Sequence, residues 1–135
     1  MKLAIHTDGG ARGNPGPAGI GFTIQTKDGT TLVEIGEYIG EATNNVAEYQ
    51  ALIRALQEAK RLGATAVEAY ADSELLVRQI KGEYRVRHQN LIPLYQEVIE
   101  LTKELSDFSI TYIPRTENVR ADTLVNWALD EVKKV

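Results

Sequence analysis

"HTDGGARGNPGPAGIG" (His6–Gly21) decides how this chain is read. It begins inside "KLAIHTD" (Lys2–Asp8), an alternating run with the period of a half-buried strand. The strand ends on a carboxylate and hands over to backbone rich in Gly and Pro. A simple turn needs far fewer glycines, so the segment asks for a purpose beyond reversal.

Working outward, "GIGFTIQT" (Gly19–Thr26) reads as a second strand, and Asp28-Gly29 in "KDGT" is a hairpin signal. "TLVEIGEYIG" (Thr31–Gly40) is the third strand, so the chain opens with an antiparallel meander. "TNNVAEYQALIRALQEAKRLG" (Thr43–Gly63) carries Leu52, Leu56 and Ala59 on one helical stripe, with Gly63 as its stop. A short strand, Ala66–Asp72, runs into a helix at Ser73–Gly82. A third helix spans Asn90–Ser106 with Pro93 in its first turn, a last strand spans Phe108–Pro114, and a helix covers Glu117–Val135. This order, βββ-α-β-α-α-β-α, predicts a single α/β domain over 1–135: a mixed sheet with helices on both faces. Right-handed crossovers set the fourth strand parallel to the first and beside or near it.

Composition narrows the field without naming a partner. The 135 residues are enough for one core, and the chain has no cysteine, which excludes disulfides and thiolate metal sites. No apolar stretch reaches membrane-spanning length, and the N-terminus enters a strand directly, so a cytoplasmic, monomeric protein is expected. A net charge of −4 argues against a basic, bulk electrostatic nucleic-acid binder. A nuclease remains open, because clustered metal-binding carboxylates add negative charge.

Four carboxylates fall in awkward places. Asp8 and Asp72 end two strands expected to be parallel neighbours. Glu48 precedes Leu52, Ala55, Leu56 and Ala59 at core spacing and faces inward, where an unpaired charge is costly. Asp122 lies three and seven residues before Val125 and Leu129. Each has a bland reading: a turn bond for Asp8, a favourable helix start for Glu48, a cap for Asp72, and pairing with Arg115 or Arg120 for Asp122. Together they converge on one sheet edge, where carboxylates repel unless cations or protons neutralise them. Oxygen-only ligands select Mg²⁺ or Mn²⁺, and two such ions suit attack of water on a phosphodiester.

With these residues in hand, the chain resembles type 1 ribonuclease H. The motifs are "TDGGARGNPGPAGIG", "TNNVAEYQAL", "ADSELLV" and "NVRADTLVNWAL", in family order over nearly the whole length. The resemblance implies a five-stranded ribonuclease H-like sheet, first three strands antiparallel and the rest parallel. It implies that Asp8, Glu48, Asp72 and Asp122 bind two Mg²⁺ (or Mn²⁺) ions. It also implies cleavage of the RNA strand of an RNA–DNA hybrid, leaving 5′-phosphate and 3′-hydroxyl ends. Substrate contacts follow at Gly9, Gly10, Asn14, Thr43, Asn44, Asn45 and Ser73. Gly9 and Gly10 would leave the backbone open to the RNA strand. Double-stranded RNA is a second candidate substrate.

Three departures qualify the likeness. The basic, Trp-containing protrusion of many members is reduced to "KGEYRVRHQN", with Lys81, Arg85, Arg87 and His88. Arg115 in "IPRTEN" stands where many members have a mobile His; it cannot act as a base at neutral pH but can bind phosphate. Glu74 replaces a Gln that often touches the hybrid. "PRTEN" with "DSEL" resembles the short subgroup, common in archaea and some bacteria, that lacks the protrusion. The departures also motivate a rival reading as a hybrid- or duplex-binding module with weak or no catalysis. A structural cation site in a protein–protein module is a third. His6, Trp127 and the tyrosines read mainly as packing.

Overall fold

The computed structural model describes residues 1–133; the last two residues of the expected C-terminal helix lie outside it. Five strands form one mixed sheet: β1 (Lys2–Ala11), β2 (Gly16–Thr26), β3 (Thr31–Ala42), β4 (Ala66–Ala71) and β5 (Asp107–Tyr112), in spatial order β3-β2-β1-β4-β5. β1, β2 and β3 pair antiparallel, whereas β4 and β5 run parallel to β1. The helices are α1 (Asn44–Arg61), α2 (Glu74–Ile80), α3 (Ile92–Lys103) and α4 (Val119–Lys133). The mixed sheet, its strand directions and its helices on both faces are as the sequence predicts.

The principal core lies between the sheet and α1. Leu3, Ile5, Ile20, Phe22 and Ile24 of the sheet meet Leu52, Leu56 and Ala59 of α1, all essentially buried. Each large side chain removed from water there contributes on the order of 2 kcal/mol. Thr43 caps α1 by accepting from the Val46 N–H at 3.2 Å. At the other end Gly63, at φ +97°, turns the chain so that its N–H and that of Ala64 satisfy the last carbonyls.

The other face of the sheet carries α4. Gly9 points toward Ala47 of α1 and the next residue, Gly10, toward Val125 of α4, so adjacent residues of β1 serve opposite layers.

Three expectations need correcting. β1 does not end at Asp8: Gly9, Gly10 and Ala11 continue it, paired with Ile20, Gly19 and Ala18, and the true loop is 12–15. Glycine is depleted in strands as a rule, but here the pairing with β2 overrides the preference. The last helix does not begin at Glu117. A 3₁₀ turn, Arg115–Glu117, comes first, and α4 starts after Asn118. Trp127 is also less of a packing residue than expected, remaining 54% exposed at the edge of Gly36.

Candidate active site

β1 and β4 bring the first two carboxylates together. Thr7 pairs with Ala71 in the parallel ladder, so Asp8, still on β1, and Asp72, the residue just past the end of β4, are brought together. Glu48, in the second turn of α1, reaches the same place and its Oε1 accepts the Gly9 N–H at 2.7 Å. One oxygen from each of Asp8, Glu48 and Asp72 lies within 4.8 Å of the others. Asp8 and Glu48 are buried, 7% and 8% exposed, in spite of their charge.

Asp122 joins from the other layer. It lies in the first turn of α4 and lines the same cleft, of about 450 Å³, but stands outside the tight trio. Arg115 donates to its Oδ1 at 2.8 Å, so one of the bland pairings is present too.

The electrostatics follow from this crowding. Burial, and then the charges of Asp72 and Asp122, push the Asp8 carboxyl up to about 8. Burial and the neighbouring Asp8 and Asp72 raise Glu48 well above the usual carboxylate range, against a smaller lowering by the Gly9 N–H. Asp122 in turn raises Arg115, which stays a cation. Asp72 Oδ2 is buried with no hydrogen-bond partner. A buried carboxylate oxygen without a donor, beside two carboxyls that resist ionising, is chemistry that a hard cation completes. The residues therefore fit a divalent metal.

The other expected contacts divide. Gly9, Gly10, Asn44, Asn45, Ser73 and Arg115 line the cleft. Asn14 and Thr43 do not, and act behind it. Asn14 Oδ1 accepts the Asn44 N–H at 3.0 Å, and Thr43 caps α1. Ser73 caps α2, its Oγ accepting from Leu76 N–H at 3.2 Å. Gly9 has a reason internal to the protein: a Cβ there would stand 2.3 Å from the Ala47 backbone. Gly10 has open space, with Val125 no nearer than 3.9 Å. Glu74 pairs with Arg78 at 3.5 Å and is absent from the lining.

Sequence reasoning passes over Arg12, Asn126 and Asn118. Arg12 lines the cleft and pairs with Asp130 at 2.7 Å. Asn126 lines it one turn after Asp122, to whose carbonyl it donates at 3.2 Å; that four-residue spacing is the available signal. Asn118 is buried beneath, donating to the Thr7 carbonyl at 2.8 Å.

Comparison with known proteins agrees with this geometry. The profile of a family described as "Reverse transcriptase-like" matches residues 6–128. The chain is 45% identical over 131 residues to a bifunctional protein of Mycobacterium tuberculosis, covering 96% of itself but only 36% of that protein. It is 44% identical over 130 residues to ribonuclease HI of Halobacterium salinarum, covering 65% of it. This chain thus spans about a third of the mycobacterial relative and just under two thirds of the halobacterial one. The crystal structure of RNase H1 from that halophilic archaeon superposes with a TM-score of 0.95 at 41% identity, over 97% of this chain and 99% of that one. LC11-RNase H1, solved in complex with an RNA/DNA hybrid, superposes with a TM-score of 0.92 at 47% identity, over 96% and 98%. By sequence and fold together, the chain belongs to the reverse transcriptase-like family and, within it, to the short ribonuclease H1 proteins.

Proposed function

We propose that this chain is an endonuclease that hydrolyses the RNA strand of RNA–DNA hybrids with two Mg²⁺ or Mn²⁺ ions, leaving 5′-phosphate and 3′-hydroxyl ends. The observation that supports it best is the buried oxygen trio of Asp8, Glu48 and Asp72, with Asp122 across the same cleft. A module that only bound nucleic acid would gain nothing from turning four carboxylates toward phosphate.

In this reading Asp8, Glu48, Asp72 and Asp122 hold the ions. When bound, these supply activation of water and neutralisation of charge on the leaving oxygen. The Gly9 N–H fixes the rotamer of Glu48. Arg115, permanently charged, balances Asp122 and takes phosphate rather than a proton. Asn44 Oδ1 is engaged by the Ala11 N–H at 2.7 Å, which leaves its NH₂ as the group that donates to the hybrid. Ser73, its lone pair used as a cap, has its hydroxyl proton free for a 2′-oxygen. In the first turn of α1 the Asn44 and Val46 N–H groups are taken by Asn14 Oδ1 and Thr43 Oγ1, so the Asn45 N–H and the positive end of the helix are what would meet a DNA phosphate. Gly10 admits the RNA backbone, and Asn14 braces Asn44. The protein acts as a cytoplasmic monomer.

A cleavage assay on a labelled hybrid, with Mg²⁺ and with Mn²⁺, tests the proposal on wild type and Asp8→Asn. Cutting by wild type and at least a roughly hundredfold loss in the variant are expected. Binding without cutting by wild type would leave the rival binding-module reading in possession. An all-RNA duplex in parallel tests whether double-stranded RNA is a substrate.

A further inference from the structure

Asn118 is 2% exposed, in the joint between the 3₁₀ turn and α4, and lines no part of the cleft. Its Nδ2 donates at 2.8 Å to the carbonyl of Thr7, the residue immediately before Asp8. Its own carbonyl accepts the N–H of Asp122, one helical turn on, at 3.1 Å. One residue thus bonds to the peptide preceding one acidic ligand and to the peptide of another, across 111 positions of sequence.

We infer that Asn118 is a positioning residue: it clamps the start of α4 to β1 and so sets where Asp122 stands relative to Asp8. The inference rests on the function proposed above. The clamp has one working orientation. A flipped amide would set Oδ1 against the Thr7 carbonyl, and in the present orientation Oδ1 is buried without a partner. A buried, half-satisfied amide is a costly choice where an apolar residue would fill the same space. The cost is understandable if the directed bond matters more than the burial. Without it α4 would keep its apolar contacts with the sheet, which are non-directional and tolerate small slides. Metal coordination does not tolerate them, because ligand oxygens must sit within tenths of an ångström.

The test compares Asn118→Ala and the near-isosteric Asn118→Leu with Val98→Ala. Val98 is a fully buried α3 residue, and α3 contributes nothing to the cleft lining. The core truncation controls for lost stability, and Asn118→Leu removes the donor without opening a void. Two readouts are taken well below every unfolding midpoint: Mn²⁺ binding by calorimetry without substrate, and kcat and KM on the hybrid. Both Asn118 variants are expected to bind Mn²⁺ about tenfold more weakly and to lose kcat by a similar factor, with KM little changed. Val98→Ala is expected to lose stability alone. If folded Asn118 variants match Val98→Ala in Mn²⁺ affinity and kcat, the clamp is only structural and the inference is overturned, while the proposed function stands. If wild type neither binds Mn²⁺ nor cuts, the proposed function fails first and takes the inference with it.

Discussion

Gly21 is the antiparallel partner of Asp8, and α4 crosses directly over it. A Cβ at Gly21 would lie 2.4 Å from the Ala121 carbonyl oxygen and 2.9 Å from both Leu124 Cβ and the Val125 nitrogen. This missing side chain lets the helix carrying Asp122 lie against the strand next to Asp8. Gly36, across from Gly21 on β3, does the same beneath Leu124, where a Cβ would meet its carbonyl at 2.5 Å. Part of the glycine richness that marks the sequence therefore serves helix-on-sheet approach.

Gly21→Ala is accordingly expected to push α4 outward and destabilise the protein by about 1–3 kcal/mol. Cleavage should fall by more than the loss of folded protein explains. Denaturant midpoints measured beside kcat on folded enzyme check this. An unchanged kcat would mean that the seat of α4 on β2 does not govern the site.

The crowded carboxylates set the pH response of the metal-free protein. Asp8 rises from the ordinary 3.8 to about 8, and Glu48 rises too. A group whose folded pKa is raised takes up protons more readily folded than unfolded, so its contribution favours folding at low pH and is lost as pH climbs through the interval from about 4 to 8. Thermal midpoints in a chelator should fall across that interval, and Mg²⁺ or Mn²⁺ at pH 8 should restore much of the loss. Asp8→Asn should be more stable than wild type in chelator at pH 8 and gain less from added metal. A chelated wild type whose midpoint rises steadily toward pH 8 would contradict the assignment.

Most of the sheet and the convergence of the carboxylates can be read from sequence, for identifiable reasons. Asp8 and Asp72 follow from strand period and crossover handedness, which together make β1 and β4 parallel neighbours. Glu48 follows from a stripe of buried residues on its own helix, which needs no tertiary knowledge. Gly9 is harder. Its glycine is demanded by the Ala47 backbone, a contact between segments 38 positions apart that no local pattern announces. Asn118 is hidden for the same reason: a lone Asn before a helix reads as a cap, and only the position of Thr7 reveals its other bond. The extension of β1 through two glycines also depends on its partner strand rather than on its own propensity.

Arg115 offers a contrast between stability and activity. Its side chain is 75% exposed and its pairing with Asp122 lies at the cleft mouth, so the ion pair adds at most about 1 kcal/mol to folding. Arg115→Ala should therefore leave the melting temperature within a few degrees of wild type. If Arg115 binds phosphate as proposed, hybrid cleavage should nevertheless drop by at least about tenfold on loss of that fixed cation. Arg115→Lys should recover part of the rate, since it keeps the charge but loses the planar fork. Full activity in Arg115→Ala would show that the guanidinium serves only to balance Asp122.

On the proposed function, a hybrid would have to be held with few cations. Lys81, Arg85, Arg87 and His88 are all exposed in the connection between α2 and α3, whereas Arg78 in α2 is already occupied by Glu74, Glu83 and the Tyr84 ring. A chain of net charge −4 with so short a basic segment has a weak handle on phosphate. Hybrid affinity should be modest, and its logarithm should fall along a strongly sloping line with the logarithm of salt concentration. Removing Arg85 and Arg87 together should flatten that line by about 2, roughly one unit for each phosphate left without its cation. On the proposed function the variant should also bind more weakly to every hybrid sequence alike, because arginines contacting phosphates carry no sequence information. Binding titrations from low to physiological salt, on wild type and the double variant, measure both slopes. Equal slopes would mean that the connection does not touch the substrate, leaving Arg115, the start of α1 and the loop at Arg12 to carry the electrostatic grip.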